Sequence, residues 1–175
     1  MWRWLKRFIL AGAILLAVAQ VFRPAKTNPP VDPNHGIGAT LPVDSVVGSV
    51  FERSCNDCHS NRTVWPWYSG VAPASWLVVS DANRVRKELN FSNWASYDAA
   101  DQRKHLSEIC KEMTEGEMPS LPYVLLHPRA AVGKADVAAV CRWTAEQSAT
   151  FATIERLTPS FHHELRSLRE TASKK

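Results

Sequence analysis

At 175 residues, with 45% hydrophobic and 22% charged side chains, the chain is long enough for one domain with a real core plus terminal extensions. The net charge of +4 sits at the ends: residues 1–26 hold five basic and no acidic side chains, residues 27–147 hold 11 basic against 14 acidic, and residues 148–175 hold five against three. A nucleic-acid binder would carry its positive charge on the folded body, and this body is mildly acidic, so nucleic acid is excluded as a partner.

Residues 1–23 begin with Trp2, Arg3, Trp4, Leu5, Lys6 and Arg7 and continue as an apolar run from Phe8 to Phe22. A basic flank before such a run is the pattern of an export signal. About 15 helical residues cover only ~22 Å of a ~30 Å hydrocarbon core. Trp2, Trp4 and Leu5 extend the stretch to spanning length, with Arg3, Lys6 and Arg7 snorkelling toward headgroups. The segment is expected to tether the protein to the inner membrane with its body on the periplasmic side. A signal peptide cleaved after Ala17-Val18-Ala19 is the alternative. Residues 24–43 contain Pro24, Pro29, Pro30, Pro33, Pro42, Gly36 and Gly38, which predicts an extended linker without regular structure. His35, inside it, reads as solvated.

A domain is expected over residues 44–147. Asp44 caps a helix whose apolar face is Val46, Val47, Val50 and Phe51, and which runs into Cys55-Asn56-Asp57-Cys58-His59. That pentapeptide reads C-x-x-C-H, the attachment signature of a c-type haem. Two thiols three positions apart on a helical turn can each add to a vinyl group of one porphyrin. The following imidazole then meets the iron from below. Cys55, Cys58 and His59 are therefore expected to hold one haem c per chain, with His59 on the iron.

Between Thr63 and Trp76, Trp65, Trp67, Tyr68 and Trp76 are interleaved with Pro66 and Pro73, which suits a stiff irregular wall along one porphyrin edge or an ordinary aromatic core. A helix follows from Ser75 or Trp76 to Leu89. Another starts at the Asp98 cap, repeats Leu106, Ile109, Cys110 and Met113 at helical spacing, and stops at Gly116. Residues 117–123 then read as a proline-bracketed loop, and Lys134 to Gln147 as the last helix of the domain. Residues 148–175 form a polar extension, helical over about 160–171, with His162 and His163 facing solvent. No β-type alternation of any length occurs.

The iron needs a ligand opposite His59. Met113 lies on an apolar helical stripe, where methionine fills gaps. Met118 projects from the loop stiffened by Pro119 and is the expected thioether ligand, the pairing that raises the potential in cytochromes c. A histidine (His127 or His105) or an open position is the alternative. Tyr123 is placed at the haem edge, and His127 reads as a loop histidine bonded to local backbone. Cys110 and Cys141 read as small apolar residues on helix faces, or as a disulfide if the compartment is oxidising.

The chain resembles a family of bacterial haem-binding domains related to monohaem cytochromes c. The resemblance covers residues 20–147. It rests on Arg23-Pro24 with Thr27-Asn28-Pro29-Pro30, Cys55–Ser60, Thr63–Ser69, Val71–Trp76, Leu89–Ser92 with Trp94, Gly116–Pro119, and Tyr123 with His127-Pro128. It implies an all-α, cytochrome c-like fold with covalent haem on Cys55 and Cys58, proximal His59, and export. It implies no substrate. The leading expectation is an electron carrier with a redox partner protein. The alternatives are a five-coordinate haem enzyme or a gas or peroxide sensor, and then a thiol-redox or zinc module built on Cys55, Cys58 and His59.

Overall fold

The computed structural model describes the backbone of residues 1–172 and side chains as far as Thr153. Among the described residues every regular element is helical: α1 (Trp2–Ala19), α2 (Ile37–Thr40), α3 (Ser45–Ser54), α4 (Asn56–His59), α5 (Ala74–Glu88), α6 (Ala99–Glu115), α7 (Leu121–Leu126) and α8 (Lys134–Ala172). Short 3₁₀ turns occupy Gln20–Phe22, Trp67–Gly70, Phe91–Ser96 and Pro128–Ala130. The fold is all-α, with an apolar N-terminal helix that buries none of its residues.

Local chemistry sets the helix ends. The Asp44 carboxylate accepts from the amides of Val46 (2.8 Å) and Val47 (2.9 Å), and Asp98 accepts from Ala100 (2.9 Å) and Asp101 (2.8 Å), each satisfying donors that a helix start leaves free. With α3 starting there, its inward stripe is Val47, Val50, Phe51 and Ser54. Val46, expected on that face, is 54% exposed, because it lies a full residue of helical rotation off the stripe. Gly116 ends α6 in the left-handed conformation (φ 77°), and the Glu117 amide folds back to the Glu112 carbonyl at 2.9 Å.

Two helices exceed expectation. The loop expected over 117–123 turns helical at Leu121, because Pro122 sits in the first turn, where a missing N–H costs nothing. The helix expected to end at Gln147 continues to Ala172, since neither glycine nor proline interrupts residues 134–158. The segment after Ser148 is a continuation of α8; His162 and His163 lie outside the described side chains.

The core lies between α3, α6, α8 and the Phe91–Ser96 turn. Val47, Val50, Phe51, Phe91, Trp94, Leu106, Ile109, Met113, Val140 and Trp143 pack there, with Ile37 of α2. The Phe51 ring meets Phe91 at 4.9 Å and stands edge-on to Trp143 at 5.4 Å. Each large side chain so buried contributes roughly 1.5–3 kcal/mol. A Cys110–Cys141 disulfide joins α6 to α8, with Cα atoms 4.8 Å apart. Of the two states open to this pair, the structure takes the bonded one.

The stretch 24–43 differs from a free linker. The Asn28 amide donates to the Thr63 carbonyl (2.9 Å), the Pro30 carbonyl accepts from Asn61 (3.0 Å), and the Pro42 carbonyl accepts from the Trp143 indole (2.7 Å). Ile37 is buried, and the His35 imidazole pairs with Asp32 at 2.9 Å. Prolines forbid long helix or sheet, but they leave carbonyls free, and the domain supplies donors to them.

Candidate functional site

Helix α3 breaks at Cys55, whose φ of −123° is not helical, and the chain resumes as the single turn α4. Cys55 is thus the last cap of one helix and the first of the next. Its carbonyl accepts from the amides of Cys58 (3.1 Å) and His59 (2.9 Å), so both cysteines and the histidine share one turn. All three are half-buried, and both thiols are free.

The His59 imidazole lies parallel to the Phe91 ring, with centroids 5.8 Å apart, and its Nδ1 is 3.2 Å from the Leu89 carbonyl. A carbonyl can only accept, so Nδ1 carries the proton and Nε2 keeps its lone pair. Burial lowers the His59 pKa below its ordinary value, which favours the neutral ring. Burial also pushes the Cys55 thiol up to about 12, with Cys58 adding to the effect. The Cys58 thiol is raised too, by burial first and then by Asp57 and Asp81.

Asp57, between the cysteines, ties this turn to two other segments. Its carboxylate accepts from the Tyr123 hydroxyl of α7 (2.8 Å) and from the Val64 amide (2.9 Å), and its carbonyl accepts from the Thr63 hydroxyl (2.6 Å). Burial, followed by the bond to Asp57, raises the Tyr123 pKa well above the usual phenol range. Tyr68 lies beside the same group, 3.3 Å from His127 Nε2, and burial raises its pKa as well. His127 Nδ1 is 3.1 Å from the Tyr123 carbonyl, the local backbone bond expected of it.

Arg86 of α5 is the second organising residue. It is only 8% exposed and binds no carboxylate. Its guanidinium donates to the carbonyls of Ser60 (2.8 Å) and Thr27 (3.0 Å), to Asn28 Oδ1 (2.9 Å) and to the Thr63 hydroxyl, and lies 5.6 Å from the Trp65 ring centroid. Asn61 and Asn90 continue the network through a 2.8 Å amide bond. Neither Asp57 nor Arg86 was singled out from sequence. The available signal was spacing: Ser75, Val79, Ala82 and Arg86 form one buried stripe of α5, and an arginine on such a stripe needs acceptors.

The expected site residues divide into three groups. Cys55, Cys58, His59, Trp65, Tyr68 and Tyr123 come together around Asp57 and Arg86. Trp67 meets the Tyr68 ring edge-on at 5.8 Å but is 82% exposed, whereas Trp76 is 41% exposed and donates to the Phe22 carbonyl. Met118 is 37% exposed and lines a cleft of about 690 Å³ with Met113, Leu121, Val124 and Val137; Cys55, Cys58 and His59 do not line that cleft. Met113 is buried in the core, and His105 packs on Tyr97 at 4.7 Å. Among the described residues, no three His, Cys, Asp or Glu side chains converge as a metal-binding group.

A family model for the haem-binding domain matches residues 14–146. No curated protein and no solved structure matches the chain. The match spans the turn that carries Cys55, Cys58 and His59, Arg86 of α5 and the Met118 loop, and with most of its length covered the chain belongs to the haem-binding domain family.

Proposed function

We propose that the protein is an exported, membrane-tethered c-type haem protein that passes electrons through one haem, with His59 and Met118 as axial ligands. The observation that carries this reading is the arrangement of the Cys55–His59 turn. Two free thiols share a turn with an imidazole whose Nδ1–H is committed to the Leu89 carbonyl. Histidines that bind metal characteristically donate their other ring N–H to such an acceptor, which orients the ring and fixes the tautomer. The residues therefore fit the group. Cys55 and Cys58 would hold it by thioether bonds, each S–H adding across a vinyl double bond, and His59 Nε2 would take the iron.

Trp65 adds a second point of fit. Its buried indole N–H has no partner among the described residues and lies beside Arg86, where a haem carboxylate could accept it. Tyr68 and Tyr123 would bound the group on the Asp57 side. Bound haem supplies a one-electron iron couple, whose potential thioether ligation raises. Met118 is favoured as that ligand because Met113 is locked in the core, whereas Met118 is exposed on a loop. Export is supported by the Cys110–Cys141 disulfide, which persists in oxidising compartments. Tethering is supported by α1 and its following turn, Trp2–Phe22, a helical stretch that contains an 18-residue window of mean hydropathy 1.8 and has the length to cross a bilayer.

One observation favours the second reading, a five-coordinate iron that binds a gas or peroxide: the cleft lined by Met118 is not lined by His59. Absorption spectra of the oxidised and reduced protein separate the two. Electron transfer through His59/Met118 predicts covalent c-type bands and a long-wavelength Fe–S(Met) band that disappears in Met118→Ala. A wild-type protein without that band assigns the open position, and covalent haem surviving in a Cys55→Ser/Cys58→Ser variant overturns the c-type assignment.

A further inference from the structure

The molecule leaves a group of large apolar side chains uncovered around the end of α1 and the start of α5. Trp67 is 82% exposed, Leu77 69%, Val71 43% and Trp76 41%, and Val21 and Phe22 are 79% and 71% exposed. They lie together rather than scattered. The Trp76 indole donates to the Phe22 carbonyl at 2.9 Å. The Gln20 side chain pairs with both backbone groups of Ala72, accepting from its N–H (3.1 Å) and donating to its carbonyl (3.3 Å). The Arg23 guanidinium reaches the Gly70 carbonyl, between Trp67 and Val71 in sequence. The 3₁₀ turn Trp67–Gly70 and the first turn of α5 are thereby fastened to the C-terminal end of α1.

We propose that Val21, Phe22, Trp67, Val71, Trp76 and Leu77 form a second membrane contact, seated in the interfacial layer of the bilayer that α1 crosses. The proposal rests on the reading of α1 as a membrane span. Three features select lipid as the occupant. The patch is continuous with the exit of α1, so whatever surrounds the last turn of that helix also meets the patch. Its two tryptophans carry an apolar body and a polar N–H, the chemistry that concentrates at headgroup depth. Arg23 and Lys26, both exposed, flank it with positive charge suited to anionic headgroups. The polar pairing of Gln20 with Ala72 ties the patch to the end of α1.

The test uses the full-length holoprotein in vesicles of phosphatidylethanolamine and phosphatidylglycerol. The photo-reactive residue p-benzoylphenylalanine replaces Trp67, Leu77, Phe8 of α1 or, as the control, Lys104 of α6, one at a time, and lipid adducts are measured by mass spectrometry. Each substituted side chain is exposed, so the fold is retained. The expected result is lipid adducts at 8, 67 and 77 at several-fold the yield at 104. Adducts at 8, with 67 and 77 no higher than 104, overturn the surface contact and leave the membrane span standing. No adduct at 8 removes the span and the proposal with it.

Discussion

The α6/α8 side of the domain and the α4/α7 side are held by opposite means. Between α6 and α8, Leu106, Ile109, Met113, Val140 and Trp143 are buried and a disulfide links the helices. Helices α4 and α7 bury no residue at all. They are held by directed bonds: Asp57 to Tyr123 and Val64, His59 to Leu89, and Arg86 to Ser60 and Thr63. Apolar contact is non-directional and supplies most of the stability. Hydrogen bonds add less net free energy but fix orientation. The side that carries Cys55, Cys58 and His59 is the side built from oriented bonds.

That contrast can be broken from either end. The largest effect is expected on the packed side: Cys110→Ser/Cys141→Ser opens a loop with a sequence separation of 31, worth about 3.7 kcal/mol in chain-entropy terms. Thermal unfolding should show the loss, with the haem spectrum unchanged. A smaller global effect, about 1–3 kcal/mol, is expected for Arg86→Gln, because the carbonyls of Ser60 and Thr27 lose a donor while a buried cation is removed. Its mark is local: hydrogen exchange should quicken at residues 27–28 and 60–63 while residues 106–113 keep their protection. A uniform loss of protection would erase the distinction between the two sides.

The smallest effect is a pH dependence of the haem-free protein. Burial holds the folded-state pKa of His59 below its ordinary 6.5, so the unfolded chain binds the extra proton first. Stability from this group is full above that value and falls as the pH drops through it, levelling off below the folded-state pKa. Denaturation midpoints of the apo-protein should therefore decline as the pH drops through the ordinary histidine value, and less steeply in His59→Gln. Equal slopes would place the titration elsewhere.

What the sequence disclosed is what a few neighbouring residues determine. The Asp44 and Asp98 caps, the Gly116 stop and the Cys55–His59 turn each depend on atoms within one helical turn, and each was legible. Arg86 was not, because its acceptors other than Asn83 lie 23 to 59 residues away. Residues 24–43 looked like a free linker for the same reason: proline content shows which structures are forbidden, not which distant donors meet the carbonyls. The tryptophans failed as a single wall because ring chemistry suits a porphyrin edge, a core or a membrane surface equally well. Only the tertiary fold separates Trp65, under Arg86, from Trp67, edge-on to Tyr68, and from Trp76, bonded to the Phe22 carbonyl.

The buried thiols of the α4 turn also bear on how the chain sorts its own sulfur. Thiol–disulfide exchange begins with a thiolate. With Cys55 pushed up to about 12, about one molecule in 10⁵ carries that anion near neutral pH. Attack on the Cys110–Cys141 bond is correspondingly slow, as is closure of a Cys55–Cys58 bridge. The four cysteines are thus divided into one disulfide between α6 and α8 and two thiols whose burial disfavours the reactive anion.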